Sequence, residues 1–448
     1  MSNRLARFDT DEVADGLIAF TDASPTPFHA VETAAGILTD HGFTAVDETA
    51  ALPSEPGRWF LVRGGSLVAW SSEDAPADPA TGFRLVGAHT DSPNFRIKPR
   101  PDVRSAGHAQ LAVEPYGGLI TNSWLDRDLG LAGRVTLAGE GDDPLLGGDR
   151  VAGTHSVLFR TDEPILRISR LAIHLDRSVK EGENLNAQQH LVPHWAVSPD
   201  APAFVDWLAQ ELGVPASDVL GWDLMTHDLA PSRRIGIDGG LISAPRMDNL
   251  ATTYAAVRAL VDAVDDPTGS GTAIPAIALF DHEEIGSMSE RGAFSQLLPA
   301  VLERVVASRG GTREDHLRAL AATVIASGDM AHATHPNYVD RHEPGHRISL
   351  NGGPVLKVNT NLRYATDGVG IAAFRLACQQ AGVPMQEFVT RSDLPCGSTV
   401  GPMTAALSGA TTVDFGAPTL AMHSVRELVG TADQAMYAAC LAAFLDPA

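Results

Sequence analysis

Seven residues offer side chains from which a hydrolytic centre can be assembled: His89, Asp91, Asp248, Glu283, Glu284, Asp329 and His423. Imidazole nitrogen and carboxylate oxygen form the donor set of zinc, which keeps a position open for water where it is catalytic. A carboxylate can bridge two cations about 3.5–4 Å apart, holding a nucleophilic water beside a polarised carbonyl. His89 and Asp91 lie two apart and project to one side of an extended segment, so His89 can bind metal while Asp91 orients its imidazole from behind. Glu283 and Glu284 are adjacent and face differently, which leaves one for the metal and one to act as general base. Cobalt and manganese accept the same donors.

These residues need elements that bring them together. Short apolar runs ending in polar residues, FRLVGAHTD (83–91), AIPAIALFDHEE (273–284) and ATVIASGDM (322–330), read as buried strands. Helical patterns lie between them. Residues 26–43 open on Thr26 as cap and Pro27 in the first turn and end at Gly42. In 248–266, Tyr254, Val257, Leu260, Val261 and Val264 recur at helical spacing, and the helix near 431–445 opens with a capping-box pattern, Thr431 to Gln434. Strands alternating with helices predict an α/β fold with a largely parallel central sheet flanked by helices, whose ligand sites gather at the carboxyl ends of the strands. One acid after a strand is usually a cap or a loop residue; several such ends mixing His and carboxylate are harder to explain that way. Proline- and glycine-rich stretches at 93–101 and 231–245 bracket a segment of short alternating runs, GRVTLAG, HSVLFRT and ILRISRLAIHL. The expected organisation is a discontinuous α/β domain, 1–95 and 240–448, interrupted by a β-rich domain at 96–239.

Composition excludes several function classes. Across 448 residues, 55 acids against 33 Lys and Arg give a net charge of −22, the wrong sign for a nucleic-acid binder. Three cysteines at wide spacings form neither a disulfide framework nor a metal knuckle. No uncharged apolar run approaches the roughly 20 residues that span a bilayer, and a cytoplasmic location is expected. HEPGH (342–346) matches a zinc-protease expression, but Pro344 and Gly345 break the helix that motif requires. GVGIAA (368–373) lacks a buried strand before it, and neither a GxSxG elbow nor a Walker A loop occurs.

GAHTDSPNFRIKP (87–99), RMDNLATTYAA (246–256), LFDHEEIGS (279–287), SGDMAHATHPNY (327–338), GGPVLKVNTNLRYATDG (352–368), SDLPCGSTVGP (392–402) and AMHSVRE (421–427) together resemble the aspartyl aminopeptidase family of dinuclear zinc metallopeptidases. The resemblance implies two zinc ions per subunit, with cobalt or manganese as substitutes. Asp248 would bridge them, His89 and Asp329 completing one shell and Glu284 and His423 the other. It makes Glu283 the general base, Asp91 the partner of His89, and the substrate a peptide with an acidic first residue. Lys357 and Tyr364 would meet that residue's carboxylate, and His332 the developing oxyanion; His335, His342 and His346 could equally be structural. The family's zinc-peptidase-like fold carries an inserted β-rich dimerisation domain, from which His174 would reach a neighbouring subunit's active site within a tetrahedral dodecamer. Two rival readings are a dinuclear enzyme of broader or neutral specificity and a scaffold that has lost its chemistry.

Overall fold

A computed structural model describes residues 4–141 and 151–448; residues 142–150 of the expected insertion lie outside the described residues. The chain divides into two compact units, Met1–Asp91 with Ser232–Met422 and Glu427–Ala448, and Ser92–Pro231 with His423–Arg426.

In the first unit the described residues form a nine-stranded sheet. Its centre consists of four parallel strands in the order Ile274–Phe280, Phe83–His89, Val324–Gly328, Thr411–Gly416. Antiparallel pairing of Ser66–Ser71 on one side and Val355–Val358 on the other makes the sheet mixed towards its edges. The central strands are buried almost end to end, as expected where helices cover both faces. A smaller sheet joins Arg233–Ile235, Leu241–Ala244, Glu427–Gly430, Pro418–Leu420 and Ala331–His332.

The helix Pro27–Asp40 begins and ends as its sequence predicts: the Thr26 hydroxyl accepts the His29 N–H and Gly42 adopts a positive φ. In Met247–Asp265 the five apolar residues at helical spacing are all buried. The start of Thr431–Leu445 differs from the expected capping box. Gly430 is the cap, Thr431 is already helical and donates its hydroxyl to the Gly239 carbonyl at 2.8 Å, and Gln434 donates to the Gly430 carbonyl. The strand Glu427–Gly430 runs directly into this helix, so tertiary partners supply the polar satisfaction that a local cap would otherwise give.

Arg4 anchors the amino-terminal segment. It is fully buried, pairs with Asp446 at 2.5 Å and Asp262 at 3.2 Å, and donates to the Ala442 carbonyl. Removing one member of such a network strands buried charge, so Arg4→Ala should cost about 3–5 kcal/mol. Urea unfolding measures this, and a loss below about 1 kcal/mol would show the anchor to be dispensable.

The second unit is a closed barrel in the order Val219–Asp228, Asn94–Ser105, His108–Tyr116, His194–Ala196, Thr154–Arg167, Asp128–Ala138. Two of the closing contacts are short, with Met225 paired to Arg96 and Arg167 paired to His194. Phe95, Leu111, Leu131 and Leu224 belong to its core, and the helix Phe204–Leu212 adds Phe204 and Trp207 to an aromatic cluster with Trp195 and Trp222. GRVTLAG and HSVLFRT lie largely in barrel strands, whereas ILRISRLAIHL leaves the ladder at Arg167. Beyond it, Ile168 is buried and Arg170 is held by Asp126 and Glu183. Residues 173–175 form an exposed turn, so His174 lies in a turn and not on an alternating strand.

Candidate metal centre

Strand register brings the first ligands together. Phe280 pairs with His89 and Ser327 with Gly87, so the carboxyl ends of three neighbouring strands finish in line. His89 ends its strand, Asp329 follows Gly328, and Glu283 and Glu284 occupy a short turn after Phe280. That turn is entered through His282 at φ 68 and left through Gly286 at φ 95. A bulky residue in the left-handed region is uncommon and marks a backbone constrained by its surroundings. Asp248 lies in the first turn of Met247–Asp265 with φ −84 and ψ 101, an extended geometry that turns it off the helical path. The helix is tied to both strands, because Thr253 donates to the His89 carbonyl at 2.8 Å and Asn249 to the Gly328 carbonyl at 2.9 Å.

The ligand atoms of His89, Asp248 and Asp329 all lie within 4.8 Å of one another, as do those of His89, Glu283 and Glu284. His89 Nε2 is 3.4 Å from Asp248 and 3.9 Å from Glu283. Its Nδ1 lies 3.0 Å from the Asp91 carbonyl and 3.4 Å from the Asp91 carboxylate. The shorter contact is thus to backbone oxygen. The Asp91 carboxylate serves a further purpose: its two oxygens accept the Glu283 and Glu284 N–H groups, each at 3.1 Å. One buried acid therefore clips the His89 strand to the turn that carries both glutamates.

Burial and like charge set the electrostatics. Glu283 is pushed well above the usual carboxyl range by burial, offset by His89 and reinforced by Asp329, Glu284 and Asp91. Asp329 is pushed up to about 7 by burial, against Lys357, with Asp248 adding to the rise. Burial alone would lower His89, but Asp248, Asp91 and Glu283 raise it well above an ordinary imidazole. A crowd of buried acids sharing one imidazole is relieved by a dication, and imidazole with carboxylates is a donor set that suits zinc. The residues present fit the metal.

Lys357 is buried at 3% exposure on the strand Val355–Val358, its Nζ 3.7 Å from Asp329 and 5.4 Å from the centre of the Tyr364 ring. Phe388 packs edge-on against both Tyr364 and His332, so these side chains share one neighbour. Tyr364 is buried; burial and its contact with Cys396 push its hydroxyl above the usual tyrosine range. His332 is exposed at the end of Ala331–His332. His423, at φ 67, belongs to the second unit, where its Nδ1 lies 3.0 Å from the Gly118 carbonyl. HEPGH forms no helix: His342 accepts the His335 N–H and His346 contacts Glu343 at 2.6 Å.

Sequence reasoning passed over Glu427, although it ends AMHSVRE. Glu427 is buried and its carboxylate accepts the Asp248 N–H at 2.9 Å, fixing from behind the backbone that carries the Asp248 side chain. The missed signal is an acid opening a buried strand, where an apolar residue is the norm. Supports of this kind typically contribute 10–100-fold to metal affinity. Glu427→Leu should weaken zinc binding by about that factor, and Glu427→Gln, which keeps an acceptor, by less. Competition with a chromogenic chelator measures both, and wild-type affinity in the leucine variant would remove Glu427 from the centre.

Comparison with known proteins agrees with this geometry. Residues 20–445 match the family described as aminopeptidase I zinc metalloprotease (M18). The chain is 53% identical over 436 residues to a probable M18 family aminopeptidase 2 of Mycobacterium bovis, covering 96% of this chain and 98% of that one. Among solved structures, it is similar to a chain in the cryo-EM structure of the Ape4 and Nbr1 complex, at TM-score 0.91 and 35% identity, covering 98% of this chain and 86% of the other. It also resembles the S. cerevesiae mApe1 dodecamer, at TM-score 0.81 and 27% identity, covering 97% and 96%. With a family match over nearly its whole length and the zinc-type donors gathered at its strand ends, the chain belongs to the M18 family of zinc aminopeptidases.

Proposed function

We propose that this M18 aminopeptidase removes acidic residues, Asp or Glu, from peptide amino termini, with Glu283 as general base at a dinuclear centre. The observation that carries the specificity is Lys357, a fully buried cation beside Asp329 in a protein of net charge −22. Burying a lysine is costly unless a counter-charge meets it, and an acidic substrate side chain would be a second one. Asp248 would bridge two ions, His89 and Asp329 serving one and Glu284 and His423 the other. Bound zinc would supply Lewis acidity to water and to the scissile carbonyl. The chain's own groups do the rest: Glu283 takes a proton on its carboxylate and returns it to the leaving amine, while Asp91 holds the turn that aims it. His332 would stabilise the oxyanion and Tyr364 would line the pocket for the acidic side chain.

The β-rich unit is proposed as the dimerisation domain, in cytoplasmic dimers that assemble further into a dodecamer, as the mApe1 structure is described. Leu171, Ile173 and Leu175 flank His174 and are 64%, 43% and 75% exposed, which suits a segment that a neighbouring subunit covers. No helix among the described residues is long and apolar enough to cross a membrane.

Turnover of Asp-, Glu-, Leu- and Ala-nitroanilides by purified protein tests the specificity. Preference for the acidic pair is expected, and Lys357→Ala should reduce it by about 10–100-fold, the contribution of a hydrogen bond to a charged group. A leucine preference would overturn the acidic assignment. One observation favours that broader reading: Asp329 already neutralises part of the Lys357 charge.

A further inference from the structure

The strand that ends in His89 at the metal centre carries Arg84 near its other end, roughly 17 Å away at about 3.3 Å per residue. Arg84 is half-buried in a cavity of about 530 Å³ whose walls include Val324, Ala373, Leu376, Ala377 and Phe444. That volume lies within the range of small-molecule sites, roughly 300–1,000 Å³. The Arg84 guanidinium stands 5.7 Å from the centre of the Phe444 ring. Among the described residues it makes no ion pair and no side-chain hydrogen bond, and burial with no counter-charge holds it below the usual arginine range.

Two other polar side chains in the wall, Thr268 and Gln380, are already engaged. Gln380 donates to the Asp446 carbonyl and accepts the Ala448 N–H, and Thr268 accepts from Arg4. Arg84 is therefore a cationic fork of donors on a mainly apolar floor, with Gln379 as a further polar side chain in the lining. Val369 and Leu376, on one face of Gly368–Ala381, extend the apolar wall outwards and are 65% and 64% exposed. Val369, Ala372 and Ala373 of GVGIAA supply part of this wall.

We propose that this cavity binds an aliphatic carboxylate, an acyl chain lying along Phe444 and Leu376 with its head group forked on Arg84. A guanidinium matches a carboxylate through two parallel N–H bonds, and the pair gains strength where water is scarce. The chain part needs only the apolar wall. This site stands independently of the assignment at the strand carboxyl ends.

Isothermal titration calorimetry on the full chain with decanoate, decanol and acetate tests the proposal. Decanoate should bind saturably with unit stoichiometry, decanol about tenfold more weakly for want of the charge-assisted pair, and acetate immeasurably. Arg84→Gln should lower decanoate affinity by about tenfold or more. Ala373→Trp, which fills the cavity and leaves Arg84 in place, should abolish binding and covers the case in which the arginine variant fails to fold. No saturable decanoate binding to the wild type, equal binding by decanol, or undiminished binding in Ala373→Trp would each overturn the proposal. So would binding of acetyl-Leu-Leu in place of decanoate, which would mark a peptide site.

Discussion

Glu283→Gln should retain its zinc and lose turnover by roughly 10²–10⁴-fold, the usual contribution of a positioned general base. The variant keeps the side chain's size and its accepting oxygen while removing the ability to take a proton. It also separates two roles that geometry leaves adjacent, because Glu283 stands both 3.9 Å from His89 Nε2 and within a possible ligand group with Glu284. A general base that is not a ligand leaves metal content near wild type when amidated; a ligand does not. The measurements are metal content by mass spectrometry after gel filtration and turnover of an acidic nitroanilide at saturation. Near-normal turnover would end the general-base assignment, and lost zinc would move Glu283 into the coordination shell. The turn itself should survive, since Asp91 holds it through the backbone N–H groups of Glu283 and Glu284.

Asp248→Asn should do the opposite and lose metal outright. Its carboxylate lies 3.4 Å from His89 Nε2, its N–H is fixed by Glu427, and its helix is bonded to the strands of both His89 and Asp329. An amide offers a neutral oxygen to a dication and cannot serve two ions as a carboxylate does. A single ligand's share of a typical zinc-site free energy corresponds to roughly 10²–10³-fold in affinity. Zinc that raises the melting temperature of the metal-stripped wild type should therefore leave that of Asp248→Asn almost unmoved. An equal thermal shift in both proteins would show that Asp248 is not a ligand. Lost activity with retained zinc in one variant, and lost zinc in the other, is a pattern that a non-catalytic scaffold cannot produce.

How much of this was legible beforehand differs from residue to residue. The strand ends at His89, Phe280 and Gly328 were readable because buried parallel strands are apolar runs that stop abruptly at polar residues. The helix Pro27–Asp40 was readable because Thr26, Pro27 and Gly42 carry local conformational preferences. The start of Thr431–Leu445 was misread because the Thr431 hydroxyl is spent on Gly239, far away in sequence, and no local pattern reports that. ILRISRLAIHL alternates like a strand yet leaves the ladder at Arg167, since alternation shows amphipathicity and not a hydrogen-bonded neighbour.

Sequence by itself determined the donor types, the positions of His89, Glu283, Glu284 and Asp329 at or just after strand ends, and the family resemblance carried by seven motifs. All of these follow from local chemistry and chain order. Only the tertiary structure decided that Phe280 stands opposite His89 and that Asp91 clips the glutamate turn. It also decided that Glu427 backs Asp248 and that Lys357 is buried against Asp329. Each of these is a pairing between residues remote in sequence. Register and burial, the properties of assembled elements, select which of many remote pairs form, and no residue carries that choice alone.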